Sequence, residues 1–156
     1  MLDSSSHSKP VQCYPRYSVS DRPYSSKPQE NVYVLLVEDD PIVQTVITMI
    51  LTDQLGYRVD VVTSGEDAVE TFSSQYDVVI MDIGLPGSDG IEAAQQIRHH
   101  HSEHPTPIIA HTAHGDDTLR KRCLAVGIDH YLTKGASTQV LAESIKKVLS
   151  RSVECC

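Results

Sequence analysis

The stretch VYVLLVEDDP, residues 32–41, sets an apolar run directly before three acids, Glu38, Asp39 and Asp40. A short continuous run of Val and Leu is typical of a buried β-strand. Adjacent carboxylates at the end of such a strand repel each other and lose hydration. A fold that keeps them there must bring compensating charge to the same place, and the rest of the sequence indicates where that charge comes from.

The bulk composition excludes several classes of function. The chain has 156 residues and a formal net charge of −8, so it lacks the basic footprint that binding to a nucleic acid backbone requires. Its apolar runs are far shorter than the roughly 20 residues of a membrane-spanning helix. Its first residues do not follow the pattern of a secretory signal peptide. We therefore expect a cytoplasmic protein of one domain that binds no nucleic acid and does not insert into a membrane.

The chain divides into a tail and a domain. Residues 1–30 contain four of the eight prolines and many serines, and they show neither hydrophobic period. This composition predicts a flexible tail or linker. The periodic pattern starts near Asn31 and ends near Arg151, which predicts one folded domain over 31–151. Residues 152–156 are expected to form a frayed C-terminus.

Within the domain, apolar runs alternate with amphipathic segments. The predicted strands are Val32–Val37, Arg58–Val62, Asp77–Met81, Pro107–His111 and His130–Leu132. The predicted helices are Pro41–Leu55, Gly65–Ser74, Gly90–His101, Asp116–Val126 and Thr138–Ser150. Five strand–helix alternations predict an α/β fold, a doubly wound five-stranded parallel sheet with helices on both faces. Thr63 with Glu66 three residues later reads as a capping box at the start of the second helix.

Reactive side chains follow the ends of the predicted strands: Glu38 and Asp39, then Asp82, Thr112 and Lys134. Ligands of open α/β sheets bind at this carboxyl edge, where the strand order reverses. With the strand order 2-1-3-4-5, the first and third strands are neighbours at that point. The three carboxylates then converge in one pocket, with Thr112 and Lys134 beside them, and Asp40 points to solvent or caps the helix.

Three converging carboxylates predict a hard divalent cation, and Mg²⁺ binds through a few carboxylates, waters and a phosphate oxygen. Asp82 is placed to act as a nucleophile that carries a phosphoryl group as an aspartyl-phosphate. Lys134 supplies a point charge. The Thr112 hydroxyl is placed to donate a hydrogen bond to a phosphoryl oxygen after transfer.

Four motifs in order, LLVEDDP, VVIMDIGLPGSDG, IIAHTAH and HYLTKG, resemble the receiver domain of bacterial two-component response regulators. The resemblance covers about residues 31–151 and is greatest to receivers attached to hybrid sensor histidine kinases. It implies the flavodoxin-like (βα)5 receiver fold and a phosphorelay in which a histidine kinase or a histidine-phosphotransfer protein phosphorylates Asp82. It also implies Mg²⁺ bound by Glu38, Asp39, Asp82 and the backbone carbonyl of Gly84.

The same resemblance implies a switch in which Thr112 moves toward the phosphoryl group and Tyr131 turns inward. It implies that the residues at Gly84 and His114 tune the lifetime of the aspartyl-phosphate. One position departs from the family pattern, because Gly135 follows Lys134 where the family usually has a proline joined by a cis peptide. The Lys134–Gly135 peptide is then either trans or held cis under strain, since a non-proline cis bond costs about 2.5–4 kcal/mol.

The same residues have ordinary structural explanations, and two other classes of function compete with this one. Taken singly, Glu38 and Asp39 suit the N-terminus of a helix, where the dipole favours acids. Thr112 alone is an ordinary strand residue, Lys134 alone is an ordinary surface lysine, and Tyr131 alone fits simple packing at a sheet edge. A phosphatase that uses an aspartyl-phosphate typically has a second aspartate where this chain has Gly84. A nucleotide- or flavin-binding domain would have glycines where this chain has acids in VEDDP.

The sequence leaves open whether the chain is a stand-alone regulator or the receiver of a hybrid kinase. Five residues follow Arg151, so we expect output to pass through another protein. On the first helix, helical spacing assigns Val43, Val46, Ile47 and Ile50 to the core. Ile42 and Met49 are then surplus apolar residues that share a face. They predict a docking site for a helical histidine-phosphotransfer domain or a kinase dimerisation bundle.

Overall fold

The computed structural model describes residues 31–85, 89–102, 105–113 and 115–151. The predicted tail, 1–30, the predicted frayed end, 152–156, and His114 lie outside the described residues. None of the described helices is both long enough and apolar enough to cross a membrane.

A parallel sheet of five strands in the order β2-β1-β3-β4-β5 forms the centre of the fold, as predicted. The strands are β1 Tyr33–Val37, β2 Arg58–Val62, β3 Val78–Asp82, β4 Ile108–Thr112 and β5 His130–Thr133. The helices are α1 Pro41–Met49, α2 Gly65–Thr71, α3 Gly90–His100, α4 Asp117–Ala125 and α5 Thr138–Arg151. The strand order reverses between β1 and β3, so their carboxyl ends lie side by side.

Alternate residues of the strands build two apolar cores, one on each face of the sheet. Leu35, Val79 and Ile108 face the core that includes residues of α2, α3 and α4. Leu36, Ile80 and Ile109 face the core formed with α1 and α5. The strands β1, β3 and β4 are almost wholly buried, which explains their continuous apolar runs in the sequence.

Side chains cap the helices at their N-termini. The Asp40 carboxylate accepts hydrogen bonds from the backbone N–H groups of Ile42 and Val43, and Pro41 occupies the first helical position. The predicted capping box of the second helix is wrong. Ser64, one residue later than Thr63, caps α2 by accepting a hydrogen bond from the N–H of Asp67.

The first helix differs from the prediction in two respects. The α-helix ends at Met49 and continues as a π-helical turn over Ile50–Gln54. The assignment of Val46 to the core is also wrong, since 49% of its surface is exposed. The buried face centres on Ile47 and Leu51. Successive residues of a helix are rotated by about 100°, so Val46 points away from this face. Val46 therefore lies with Ile42 and Met49 on the exposed side.

Candidate functional site

Three carboxylates meet at the carboxyl edge of the sheet. Glu38 follows the last residue of β1, and Asp82 is the last residue of β3. Each of Glu38, Asp39 and Asp82 offers one oxygen, and these oxygens lie within 4.8 Å of one another. Glu38 is fully buried and Asp82 is 3% exposed, while Asp39 is the most exposed of the three. The predicted convergence of the acids is thus present in the structure.

Lys134, which follows β5, reaches across β4 to two of these acids. Its ammonium donates hydrogen bonds to Oε1 of Glu38 at 3.1 Å and to Oδ2 of Asp82 at 3.0 Å. Burial lowers the pKa of Lys134, but the hydrogen bonds to Glu38 and Asp82 outweigh it and the net change is upward. The pKa of Glu38 is raised because burial disfavours its charge more than the Lys134 hydrogen bond favours it. The lysine is therefore firmly charged and offsets only part of the acidic charge.

Backbone contacts fix the loop between β1 and α1. The N–H of Glu38 donates to the carbonyl of Val62 at 3.0 Å, which extends the pairing of β1 with β2. The N–H of Asp40 donates to Oε1 of Glu38 at 3.2 Å. The side chain of Asp40 turns away from the acids to cap α1, as one of the two predicted alternatives has it. This loop presents Glu38 and Asp39 to the site and Asp40 to the helix.

The donor set fits a divalent cation. Three carboxylates and one ammonium leave two formal negative charges without compensation. The buried Oε2 of Glu38 lies 3.0 Å from the Lys134 ammonium as an ion pair, yet it accepts no hydrogen bond from the described residues. Mg²⁺ prefers carboxylate oxygens and neutralises this charge, so the three carboxylates are suited to hold it.

Thr112 and Tyr131 lie on β4 and β5, the two strands that follow β3 in the sheet. Thr112, the last residue of β4, is 4% exposed. Tyr131 of β5 is half-buried, packs against the core on the α4 side and forms a side-chain hydrogen bond with Thr112. Burial is the main reason that the pKa of Tyr131 is raised. The two residues to which the family resemblance assigns a switch are therefore in direct contact.

Two glycines make close approaches to Asp82. The N–H of Gly84 donates to Oδ1 of Asp82 at 2.9 Å, and a Cβ at position 84 would lie 3.7 Å from that oxygen. A Cβ at Gly90, the first residue of α3, would lie only 2.2 Å from the backbone oxygen of Asp82. Only a glycine lets the start of α3 pack this closely against the end of β3.

The Lys134–Gly135 peptide is trans, which resolves the alternative left by the sequence. Gly135 has φ +100°, a value that side-chain-bearing residues rarely adopt. Proline fixes φ near −65°, so it would not fit this conformation. With the trans peptide, Lys134 still reaches both Glu38 and Asp82.

His111 was not predicted as a site residue, although a histidine inside an apolar strand is an unusual signal. It lies opposite Asp82 in the register of β3 with β4 and is 5% exposed. Burial, with help from the charge of Lys134, lowers the pKa of His111 to about 4. Its buried Nδ1 atom forms no hydrogen bond with the described residues. The ring lines a hollow of about 210 Å³ between α1 and the β5–α5 region.

The remaining predicted residues lie at different distances from the site. Glu38, Asp39, Asp82 and Lys134 lie together, and Gly84 contacts Asp82. Thr112 is joined to Lys134 through the backbone, and Tyr131 contacts Thr112. Ile42 and Met49 lie on the exposed side of α1, where 75% and 54% of their surfaces are accessible. The lifetime role of His114 stays a prediction.

Comparisons with known proteins give one consistent family. Residues 34–146 match the family described as the response regulator receiver domain. The chain is 35% identical over 138 residues to sensor histidine kinase GacS of Pseudomonas protegens, covering 83% of this chain and 15% of that protein. It is 31% identical over 120 residues to transcriptional regulatory protein ResD of Bacillus subtilis, covering 76% of this chain and 48% of that protein. The chain thus spans half or less of these relatives.

A solved structure agrees in both fold and sequence. The receiver domain of a sensor histidine kinase from Pseudomonas aeruginosa has a TM-score of 0.70 and 37% identity, covering 77% of this chain and 98% of that one. That structure has a magnesium ion coordinated in its active site cleft. By its fold, its acidic site and these matches, the chain belongs to the response regulator receiver domain family, the phosphoacceptor signalling module of two-component systems.

Proposed function

We propose that Asp82 is the residue of this chain that accepts the phosphoryl group from a phosphohistidine. The supporting observation is the position of its carboxylate, at the end of β3 and in contact with Lys134 beside the acids Glu38 and Asp39. The chain assists its own phosphorylation and dephosphorylation and is not an enzyme that turns over an external substrate.

The transfer exchanges one bond for another at phosphorus. An oxygen of Asp82 forms a bond to phosphorus while the phosphorus–nitrogen bond of the donor breaks. The electron pair of that bond stays on the donor nitrogen, so the imidazole leaves neutral once the nitrogen gains a proton. Such a transfer depends on positioning and on charge stabilisation more than on covalent chemistry by the protein. Lys134 supplies charge stabilisation because its ammonium already lies beside Asp82.

Glu38, Asp39 and Asp82, with the backbone carbonyl of Gly84, are the residues that we propose to hold Mg²⁺. The ion, when bound, neutralises the acids and the phosphoryl oxygens so that they tolerate each other at close range. The chain's own contribution is to hold Glu38 and Asp82 buried, with Glu38 fixed by its backbone contacts and the carboxylate of Asp82 by the N–H of Gly84.

Phosphorylation at Asp82 would change what Thr112 and Tyr131 contact. Thr112 carries a hydroxyl at the same sheet edge and already shares a hydrogen bond with Tyr131. If Thr112 turns its hydroxyl to a phosphoryl oxygen, that hydrogen bond is lost and Tyr131 is released to pack further inward. The surface formed by α4 and β5 then carries the signal to a partner protein.

The lifetime of the phosphorylated state is proposed to depend on position 84 and on His114. Gly84 has no side chain to orient an attacking water, although a Cβ there would lie 3.7 Å from Oδ1 of Asp82. His114 is then the candidate of the two. Replacing His114 with Ala is expected to change the rate of aspartyl-phosphate decay and its pH dependence near 6–7. An unchanged rate and profile would remove His114 from the mechanism.

We also propose that the phosphodonor docks on α1. Ile42, Val46 and Met49 form an exposed apolar stripe at spacings of four and three residues, which we call the α1 stripe. The hollow beside it is lined by Ile42, Val46, His111 and Lys134, so the stripe is continuous with the reactive site. A helical histidine-phosphotransfer domain or kinase dimerisation bundle fits such a stripe by packing apolar side chains along it.

The docking test separates the α1 stripe from general surface effects. Ile42→Ser with Met49→Ser should slow phosphotransfer from the cognate protein donor but leave phosphorylation by acetyl phosphate unchanged, because a small donor needs no docking. Leu124→Ser is the matched control, since Leu124 is 52% exposed on α4. A double variant that accepts phosphate from the protein donor at the wild-type rate would place docking elsewhere.

We propose that the chain works in the cytoplasm, in one of two positions of a phosphorelay. Cys123 is a buried free thiol, which agrees with a reducing, cytoplasmic compartment. The relatives include both a sensor kinase and a transcriptional regulator. A stand-alone regulator and the receiver of a hybrid kinase would both accept the phosphoryl group in the same step.

The experiment that tests the acceptor function is intact-mass measurement after incubation with acetyl phosphate. The wild-type chain should gain one phosphoryl group in the presence of Mg²⁺ and none in EDTA. Asp82→Asn should gain none, whereas the control Asp67→Asn, on the exposed surface of α2, should behave as wild type. Equal labelling of Asp82→Asn would refute the assignment.

A further inference from the structure

Gln44, in the second turn of α1, is tied to the backbone of the metal-site loop. Its Nε2 atom lies 2.6 Å from the carbonyl oxygen of Glu38. A carbonyl only accepts hydrogen bonds, so the group that approaches it must be the amide N–H of the glutamine. This contact joins two elements, because Gln44 belongs to α1 whereas Glu38 follows β1.

The contact with Gln44 adds to the hydrogen bonds that hold Glu38 in the loop. On the β2 side, the N–H of Glu38 donates to Val62. Within the loop, Oε1 of Glu38 accepts the N–H of Asp40. Gln44 holds the carbonyl from the α1 side, so the peptide that links Glu38 to Asp39 is fixed at its oxygen. The orientation of that peptide sets where the side chain of Asp39 projects.

We propose that Gln44 is a positioning residue for the metal site, which acts by fixing the Glu38–Asp39 peptide so that both carboxylates converge on Asp82. Gln44 itself touches neither the cation nor the phosphoryl group. This inference rests on the proposed Mg²⁺ site. Residues that orient metal ligands commonly change metal affinity by about 10–100-fold when they are replaced.

Half-buried Gln44 can be changed with little disturbance of the core. Gln44→Met keeps the length and the helix propensity but removes the donor. Gln44→Glu keeps the shape, also removes the donor, and adds a negative charge near the acids. The matched controls are Gln95→Met and Gln95→Glu, at an exposed position of α3.

The two variants separate positioning from charge. A positioning role predicts that Gln44→Met and Gln44→Glu both weaken Mg²⁺ binding, by about tenfold for Gln44→Met. A purely electrostatic role predicts that Gln44→Glu binds Mg²⁺ more tightly, since added negative charge attracts the cation. A merely structural role predicts lower thermal stability in EDTA without a change in Mg²⁺ affinity.

The test is isothermal titration of each full-length variant with Mg²⁺ alone, together with thermal unfolding in EDTA. We expect weaker binding for both Gln44 variants, wild-type binding for both Gln95 variants, and unfolding temperatures in EDTA that are close to wild type. Unchanged or tighter binding by either Gln44 variant would overturn the inference. If the wild-type chain binds no Mg²⁺, the proposed metal site fails instead, so the two failures are distinct.

Discussion

The Lys134 ammonium lies 3.0 Å from Oδ2 of Asp82 and also donates to Glu38, although β5, the strand that Lys134 follows, is separated from β3 by β4. One cation thus bridges two buried acids that come from different strands. It holds the acids together, and it lies beside the carboxylate that we propose as the phosphoacceptor.

Lys134→Ala should leave Mg²⁺ binding at least as tight as in the wild type, because the lysine competes with the cation for the same acids. In EDTA the variant should be less stable, since three carboxylates then face each other without compensation. The rise in unfolding temperature on adding Mg²⁺ should therefore be larger for the variant than for the wild type. A marked loss of Mg²⁺ affinity would contradict this account of the lysine.

Gly90 and Gly84 form a matched pair for testing the packing around Asp82. Gly90→Ala should destabilise the fold by about 1–3 kcal/mol, as overpacking does, because its Cβ would lie 2.2 Å from the backbone oxygen of Asp82. Gly84→Ala should cost much less, since its Cβ would make an ordinary contact of 3.7 Å. Urea unfolding of the two variants checks the difference, and equal losses would show that α3 is not packed this closely.

His111 should make stability depend on pH below neutrality. Burial, and then the charge of Lys134, lowers its folded-state pKa to about 4, below the value of about 6.5 in an unfolded chain. The unfolded chain therefore binds more protons between these values, and stability falls as the pH drops from about 6.5 to about 4. One such group lowers the free energy of unfolding by about 3 kcal/mol between pH 8 and pH 4.

The measurement is the free energy of unfolding at a series of pH values. His111→Gln should remove most of this fall, so the difference between wild type and variant should change steadily from pH 7 to pH 4. His99→Gln, at an exposed position of α3, is the control and should follow the wild type. A wild-type profile for His111→Gln would show that the buried imidazole does not titrate as described.

Much of the fold was predictable because its signals are local and repeated. Buried parallel strands read as apolar runs, so the five strands followed from the alternation with helices. The order 2-1-3-4-5 was an assumption that the resemblance to receiver domains supported, and the meeting of Glu38, Asp39 and Asp82 depended on it. Strand ends were predicted to within a residue or two because reactive side chains mark them.

What the sequence did not predict depends on contacts between distant segments. Val46 has helical spacing to both Val43 and Ile50, and only the packing of Ile47 and Leu51 on the sheet decides that it faces outward. Ser64 and Thr63 are chemically equivalent caps, so the choice rests on where the backbone turns.

Local sequence patterns also did not predict the contact of Gln44 with Glu38 or the close approach of Gly90 to Asp82. A glutamine on a helix surface and a glycine after an aspartate have many ordinary explanations. Their roles emerge from a 2.6 Å contact with Glu38 and from the absence of space beside Asp82. The trans Lys134–Gly135 peptide likewise required the structure, since the sequence allowed both isomers.

The most direct test of the central claim is to locate the phosphoryl group chemically. After incubation with acetyl phosphate and Mg²⁺, borohydride reduction converts an aspartyl-phosphate to homoserine, and peptide mass spectrometry then identifies the reduced position. We predict homoserine at position 82 alone, and none when EDTA replaces Mg²⁺. Reduction at another aspartate, or at none while the intact protein carries a phosphoryl group, would contradict the assignment of Asp82 as the phosphoacceptor.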